Sequence, residues 1–438
     1  MLSAPATVYR PRNPQSSDYY RCVEDHFVTF IQLYEERFER PYGFWRPYLK
    51  RVITRYRECG DLHNGFARVK CGDCGHEYLL AFSCKRRHFC PSCHQKRVVE
   101  FGEWLCMDVL KKIPHRHFVF SLPKILRRYF LYDRKLLADL SRCAWESLKV
   151  FLQEVVPEND SIPGAVIAMQ TFGDFLGFNP HTHILVTDGC FYGNRGMFRV
   201  APPLELKKLE AIFQHKVFKM LLNKRKITQE MIAMLSTWRH SGFHVFCGNR
   251  ISPTDDTAME NLARYIIRAS FSQERMQYLP EPSKVVYRAK DGTEEKVFDA
   301  LEWLAAMCSH IPDRGEQMVR YYGYYSNVSR GKRKETEDDG VPAILEADKS
   351  SKEYRKNWAR LIQKIYEVDP LTCPKCGGIM RILAFIEDQE VIKAILKHLG
   401  LWLVKSKPAP KAHAPPPLNQ HGSGPARKMD VSGQAGYA

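Results

Sequence analysis

The sequence predicts a mixed helix-and-strand fold built in more than one domain. Residues 19–57, 125–155 and 204–227 repeat their apolar positions at helical spacing. Residues 165–176 and 181–192 read as neighbouring strands joined through LGFNP, and two Cys-x-x-Cys pairs between 71 and 93 mark a separate metal-binding module. With 438 residues, the chain has room for two or three sizeable cores.

Taken in order, residues 1–18 are polar and proline-containing and read as a flexible arm. From 19 to 57 the pattern is helix, break, helix, the break falling at Pro41, Gly43 and Pro47. The cysteine module covers about 65–97, and VVEFGEWLCMDVLKKI continues as a helix that stops before Pro114. HFVFSLP is a short strand running into proline, and 125–155 forms one or two amphipathic helices. A basic helix at 204–227 and another at 257–270 follow. SKVVYRAKDGTEEKVFDA reads as a β-hairpin turning at Asp291-Gly292, and LEWLAAMCSHI as a short helix. RYYGYYSNVSRGKRKETEDDG then runs into a polar linker. A small unit at 351–404 carries one more Cys-x-x-Cys, and the Pro- and Gly-rich tail from 405 has little to bury.

There are 66 Lys and Arg against 49 Asp and Glu, a net charge of +17, which suits a polyanion and nucleic acid first of all. No stretch approaches the roughly 20 apolar residues of a membrane helix, so no membrane partner is expected. The opening MLSAPATVYRPRNPQ lacks the apolar core of a signal peptide. Fourteen cysteines without such a signal point to metal sites and free thiols in a reducing cytoplasm.

In KCGDCGHEYLLAFSCKRRHFCPSCHQKR, the pair Cys71 and Cys74 is separated from the pair Cys90 and Cys93 by fifteen intervening residues. Four thiolates in two such knuckles suit a structural Zn²⁺, whose binding would supply the folding energy this short segment lacks. Cys84, His76, His88 and His94 are near enough in sequence to replace one ligand. Lys85, Arg86, Arg87, Lys96 and Arg97 surround the module, either as a grip on phosphates or as a solvated rim.

NPHTHILVTDG places His181 and His183 two apart on a strand, hence on one face. IPHRHFVFSLP does the same for His115 and His117, so spacing alone does not separate the two pairs. The first pair has the better setting, because a neighbouring strand offers Gln170 and Asp174 as an oxygen ligand. Two imidazoles and an oxygen would leave open positions for catalysis by Mg²⁺ or Mn²⁺; the bland alternative is a pair of strand-edge histidines. Tyr265, between Arg264 and Arg268 on a helix, could attack phosphorus, or it could be one more core-edge tyrosine among 21.

The order of these motifs is similar to that of the insertion-sequence 91 family of transposases, rolling-circle elements of bacteria. The matching stretches are FCPSCHQKR, PHRHFVFSLP, QTFGDFLGFNPHTHILVTDG, NLARYIIRASFS, HIPDRGEQMVRYYGYYSN and DPLTCPKCGGIMRILAFI. The resemblance spans about residues 20–400. It implies an α+β fold: a helical, zinc-binding, DNA-binding domain at 19–110 and an HUH (His-hydrophobe-His) endonuclease domain at 111–332, an antiparallel sheet flanked by helices. A linker at 333–350 would lead to the small C-terminal unit. The resemblance implies His181 and His183 as ligands of the catalytic cation, and on the neighbouring strand Gln170 is the expected third ligand. Tyr265 then matches the family's nucleophile, and the flanking Arg264 or Arg268 is expected to offset charge.

Two positions depart from the family pattern. Thr182 stands where a large hydrophobe is usual, and Asn261 where many relatives carry a second tyrosine four residues before the first. The chain thus resembles the single-tyrosine branch, so one nucleophile would be reused or a second protomer would contribute. The tyrosines at 321, 322, 324 and 325 are the alternative source of a nucleophile, Tyr325 first, and otherwise a DNA-stacking segment. Cys373 and Cys376 form half a zinc site, vestigial or shared across a dimer. The expected activity is metal-dependent nicking and rejoining of single-stranded DNA in the bacterial cytoplasm, at the nucleoid. The rival readings are a replication initiator or relaxase of the same chemistry, and a non-catalytic zinc-dependent DNA-binding regulator.

Overall fold

In the computed structural model, residues 14–335, except 157, 159 and 194–196, and residues 371–402 are described. The expected arm lies outside them as far as residue 13, as do the linker from 336, residues 351–370 and the tail from 403.

Helix α1 (Asp18–Arg37) starts where the Ser17 side chain accepts the Tyr20 N–H. It buries a stripe at helical spacing that includes Tyr19, Val23, Phe27, Phe30 and Tyr34. The one-turn α2 (Glu39–Tyr42) and then α3 (Tyr48–Arg57) follow the break anticipated at the prolines. Strands β1 (Phe66–Cys71) and β2 (Glu77–Ala81) form a hairpin, and α4 (Pro91–Trp104) opens on Pro91, whose missing N–H costs a first helical turn nothing. A π-helical turn, Leu105–Val109, ends this helix.

The next elements are β3 (His115–Ser121), α5 (Lys124–Tyr132), α6 (Lys135–Val155), β4 (Gly164–Phe172) and β5 (Phe178–Thr187). Then come β6 (Gly189–Tyr192), β7 (Met197–Val200), α7 (Leu206–Asn223), α8 (Gln229–Ser236), β8 (His244–Cys247) and α9 (Asp256–Tyr265). The hairpin strands β10 (Lys284–Arg288) and β11 (Glu295–Asp299) are joined by β9 (Met276–Leu279) in a three-stranded sheet. The last elements are α10 (Ala300–Ser309), β12 (Val319–Gly323), α11 (Asn327–Glu335), β13 (Met380–Ile386) and α12 (Gln389–His398).

The central sheet has the order β12-β4-β5-β3-β8 with every pair antiparallel, so the α+β class with helices on both faces holds. Phe118, Phe120, Ile184 and Val186 point to one face and share a core with α5, α6 and α7. Val166, Ala168 and Leu185 point to the other, where Phe101 of α4 and Ala263 and Ile266 of the α9 segment cover them. The alternation of strand side chains sends each residue to one layer.

In the stretch that leads toward the expected linker, Val319–Gly323 is an edge strand hydrogen-bonded to β4. Two expected domain boundaries differ from the observed structure. The boundary expected near residue 110 is crossed, because α1 and α3 share one core with Tyr278, Val285, Phe298 and Trp303. The C-terminal unit is not separate either; β13 pairs antiparallel with β1 in the order β13-β1-β2.

Candidate metal and tyrosine centre

Register brings the histidines together. His181 lies opposite Gln170 on β4 and Ser121 on β3, and His183 lies opposite Ala168 and Val119. Directly opposite residues share a face, as do residues two apart, so His117 projects on the same side as His181 and His183. The three imidazoles form a chain. His117 Nε2 is 2.9 Å from His183 Nδ1, and His183 Nε2 is 3.1 Å from His181 Nε2. His181 Nδ1 is 2.7 Å from the Asn179 carbonyl, which can only accept, so that nitrogen carries the proton and Nε2 presents a lone pair. Burial holds His117 and His181 down to about 4, and it holds His183 well below the usual histidine range, helped by the neighbouring imidazoles and Arg268. The cluster is therefore neutral at pH 7.

Tyr265 is the last residue of α9, and its ring stands edge-on to two of these imidazoles, 5.4 Å from His183 and 6.2 Å from His117. It is 37% exposed, so a substrate can reach it. The Arg268 guanidinium lies 4.8 Å from the Tyr265 ring centroid and 5.6 Å from that of Phe172. Arg264 takes another direction: it pairs with Glu260 at 2.6 Å and packs against Gly102 of α4. Of the two flanking arginines, only Arg268 covers the tyrosine. Gln170 is buried and gives its amide to the Ile266 carbonyl at 2.9 Å, while its Oε1 is buried with no partner among the described residues. Asn261 sits one turn before Tyr265, exposed.

Tyr325 has no route to a substrate. It is fully buried, and its hydroxyl meets His115 Nε2 at 2.7 Å and the Lys111 N–H at 3.3 Å. The second His-x-His motif is thus divided by chemistry: His115 locks the Tyr325 turn, and His117 joins the first pair. His117 was missed because its motif was weighed as a rival; the spacing that puts 115 and 117 on one face was the available signal.

The four cysteines expected to share one zinc are separated. Cys90 and Cys93 gather with Cys59 and Cys84, all buried, whereas Cys71 and Cys74 face Cys373 and Cys376. The physical reason is the β1–β2 hairpin, whose turn lies between Cys71 and His76 and whose second strand carries the chain away from that knuckle. Cys84 was anticipated as a substitute; Cys59, alone at the end of α3, carries no spacing signal. Beside this group, His94 on α4 donates from Nε2 to the Ile267 carbonyl at 2.8 Å and accepts the His88 N–H on Nδ1. A cavity of about 630 Å³ opens next to the tyrosine segment, with Arg87, Arg97, Arg268, Arg320, Phe101 and Tyr321 among its walls.

Residues 29–122 match the family described as "Transposase zinc-binding domain", and residues 164–333 match the one described as "Putative transposase". A zinc-binding domain joined to a transposase domain defines the class. The transposase for insertion sequence element IS801 of Pseudomonas savastanoi pv. phaseolicola is 24% identical over 78% of this chain and 84% of its own. "Putative transposase y4qJ" of Sinorhizobium fredii (strain NBRC 101917 / NGR234) is 24% identical over 75% of this chain and 86% of its own. No solved structure matches the chain. By these matches the chain is a transposase similar to those of the insertion-sequence 91 family.

Proposed function

We propose that this transposase nicks and rejoins single-stranded DNA through a covalent bond to Tyr265, with a divalent cation at His181 and His183, in the manner of an HUH endonuclease. The observation that carries the reading is one juxtaposition: an exposed tyrosine, edge-on to paired neutral imidazoles and covered by an arginine.

The donor set fits a cation. Two ligand atoms each about 2.1 Å from one octahedral ion lie about 3 Å apart, and the two Nε2 atoms are 3.1 Å apart. With a cation there, His183 would carry its proton on Nδ1 and donate it to His117 Nε2, the outer hydrogen bond that fixes a ligand's tautomer. His117 is then a positioning residue and not a third ligand. The orphaned Gln170 Oε1, on the β4 residue opposite His181, is the oxygen donor proposed as third ligand. Bound Mg²⁺ or Mn²⁺ would polarise a non-bridging oxygen of the scissile phosphate.

The Tyr265 oxygen attacks phosphorus, the phenol proton passes to solvent, and the bond to the 3′ oxygen breaks. That oxygen takes up a proton as a free 3′-OH, and the 5′-phosphate stays on the tyrosine, its bond energy conserved for rejoining. Arg268, 4.8 Å from the Tyr265 ring centroid, would offset the negative charge that develops. The arginine- and aromatic-lined cavity beside Gln170 and Ile266 suits the strand leading to that phosphate, charge for the backbone and rings for the bases. With Asn261 one turn earlier, the same tyrosine would serve both strand transfers in sequence, or a second protomer would supply the other.

The test is a nicking assay on a single-stranded oligonucleotide carrying an element end, with Mg²⁺ or Mn²⁺. Tyr265→Phe should lose the covalent protein–DNA adduct while binding the oligonucleotide as well as the parent does. Adducts that persist in this variant would move the nucleophile elsewhere. Binding without nicking under every divalent ion would leave a zinc-dependent DNA-binding protein.

A further inference from the structure

The structure assigns a second zinc site, made of Cys71, Cys74, Cys373 and Cys376, that fastens the C-terminal segment to the zinc-binding domain. Neither matched family region contains all four: one ends at residue 122 and the other at 333. Sγ of Cys71 lies 3.5 Å from that of Cys376, and Sγ of Cys74 lies 3.5 Å from that of Cys373. All four lie within 4.8 Å of one another. Thiolates at the corners of a tetrahedron with Zn–S of about 2.3 Å are about 3.8 Å apart, so the cluster has zinc dimensions.

The two loops are also built alike, which chance proximity does not explain. Both read Cys-x-x-Cys-Gly, and the glycines have φ of +72° at Gly75 and +74° at Gly377. In both, the first cysteine's N–H reaches the carbonyl five residues on, Cys71 to His76 and Cys373 to Gly378, each at 2.8 Å. The left-handed glycine turns the chain so that both thiols of a knuckle face one point. In the second knuckle the Gly378 N–H also approaches Cys376 Sγ at 3.4 Å, a donor that favours the thiolate.

Energetics ask for a metal here. Among the described residues, the pairing of β1 with β13 encloses Val69, Cys71, Cys373 and Met380 as one fully buried cluster and Phe66, Ile392 and Leu396 as a second, each edged by partly buried apolar residues. Cores this small do not hold three strands and a helix in place, and a metal shared by both knuckles supplies what burial lacks. Its ligands lie about 300 residues apart in sequence, the separations being 305 and 299 for the closest thiol pairs. The zinc thereby joins the two ends of the described chain.

The two sites differ in exposure. Cys59, Cys84, Cys90 and Cys93 are all buried, but Cys74 and Cys376 are exposed. A chelator therefore reaches the second metal first.

The experiment is zinc counting on the full chain purified in metal-free buffer. Two zincs per chain are expected, and one in the Cys373→Ser/Cys376→Ser double variant. EDTA with a chromogenic zinc indicator should release one zinc at least tenfold faster than the other. Limited proteolysis should then remove the 371–402 segment only after the fast release. One zinc in the parent, or two in the double variant, overturns the proposal. So does a thiol count under non-reducing denaturation that falls four short of the 14 cysteines, since that would mean two disulfides. None of these readouts depends on nicking, so the site can fail while the tyrosine reading stands, and the reverse.

Discussion

Thr182 sits between the two histidines with its side chain turned to the opposite face. Its register partners are Phe120 and Met169, both in the core beneath α5, α6 and α7, and its hydroxyl is buried with no partner among the described residues. An unsatisfied buried hydroxyl costs about 1 to 3 kcal/mol, and valine has nearly the same shape. Thr182→Val should therefore raise unfolding stability by about 1 kcal/mol in urea titration and leave nicking intact. A loss of stability would mean that the hydroxyl is bonded after all. The same strand shows why residue-level legibility was uneven. Alternation assigned His181 and His183 to one face correctly, because it is a local property of β-structure. His117 reaches that face from β3, and only the pairing of β3 with β5 brings it to His183.

Helices α4 and α9 pack against one another across the face that holds the histidines, and their junction joins the buried cysteine group to the tyrosine. His94 follows Cys93 directly and holds the Ile267 carbonyl, two residues after Tyr265. The element carrying Cys93 thus sets the turn that carries Tyr265 and Arg268. Accordingly, His94→Ala should lower the nicking rate constant about tenfold with little change in oligonucleotide affinity, and His94→Gln, which keeps a donor, should recover part of it. Equal losses in affinity and rate would mean a general loosening of the fold. At this scale the strong periodicities of α1, α6, α7 and α10 and the 284–299 hairpin were all legible. Strand β12 was not: its five residues are tyrosine-rich with no apolar alternation, and it exists because the β4 edge offers backbone partners.

Across the whole molecule, buried polar groups tie the central sheet to the core shared by α1 and α10. His310, after α10, gives its Nε2 proton to the Leu176 carbonyl at 2.9 Å, meets the Thr171 hydroxyl on Nδ1 and stacks on Phe178. Burial holds it down to about 4, with Arg134 and Arg46 adding repulsion. A folded pKa below the unfolded value near 6.5 means that the unfolded chain takes the proton first. The contribution is complete above pH 6.5 and is lost as pH falls toward 4, roughly 3 kcal/mol over the full range. In urea titrations, the stability gap between the parent and His310→Gln should narrow from pH 7 to pH 4.5. A gap that holds constant would place the proton elsewhere.

The sequence by itself determined the class of the protein and the chemistry on offer, because motif order, cysteine pairs and strand alternation are local and survive without a fold. It carried the histidine pair, Tyr265 and the mixed helix-and-strand architecture. Only the tertiary structure decided the partners. It gave Cys59 and Cys84 to Cys90 and Cys93, sent Cys71 and Cys74 to a knuckle about 300 residues away, separated Arg268 from Arg264, and buried Tyr325 under His115. Those choices depend on hairpin geometry and sheet register, which set distances between residues whose separation along the chain carries no trace of them.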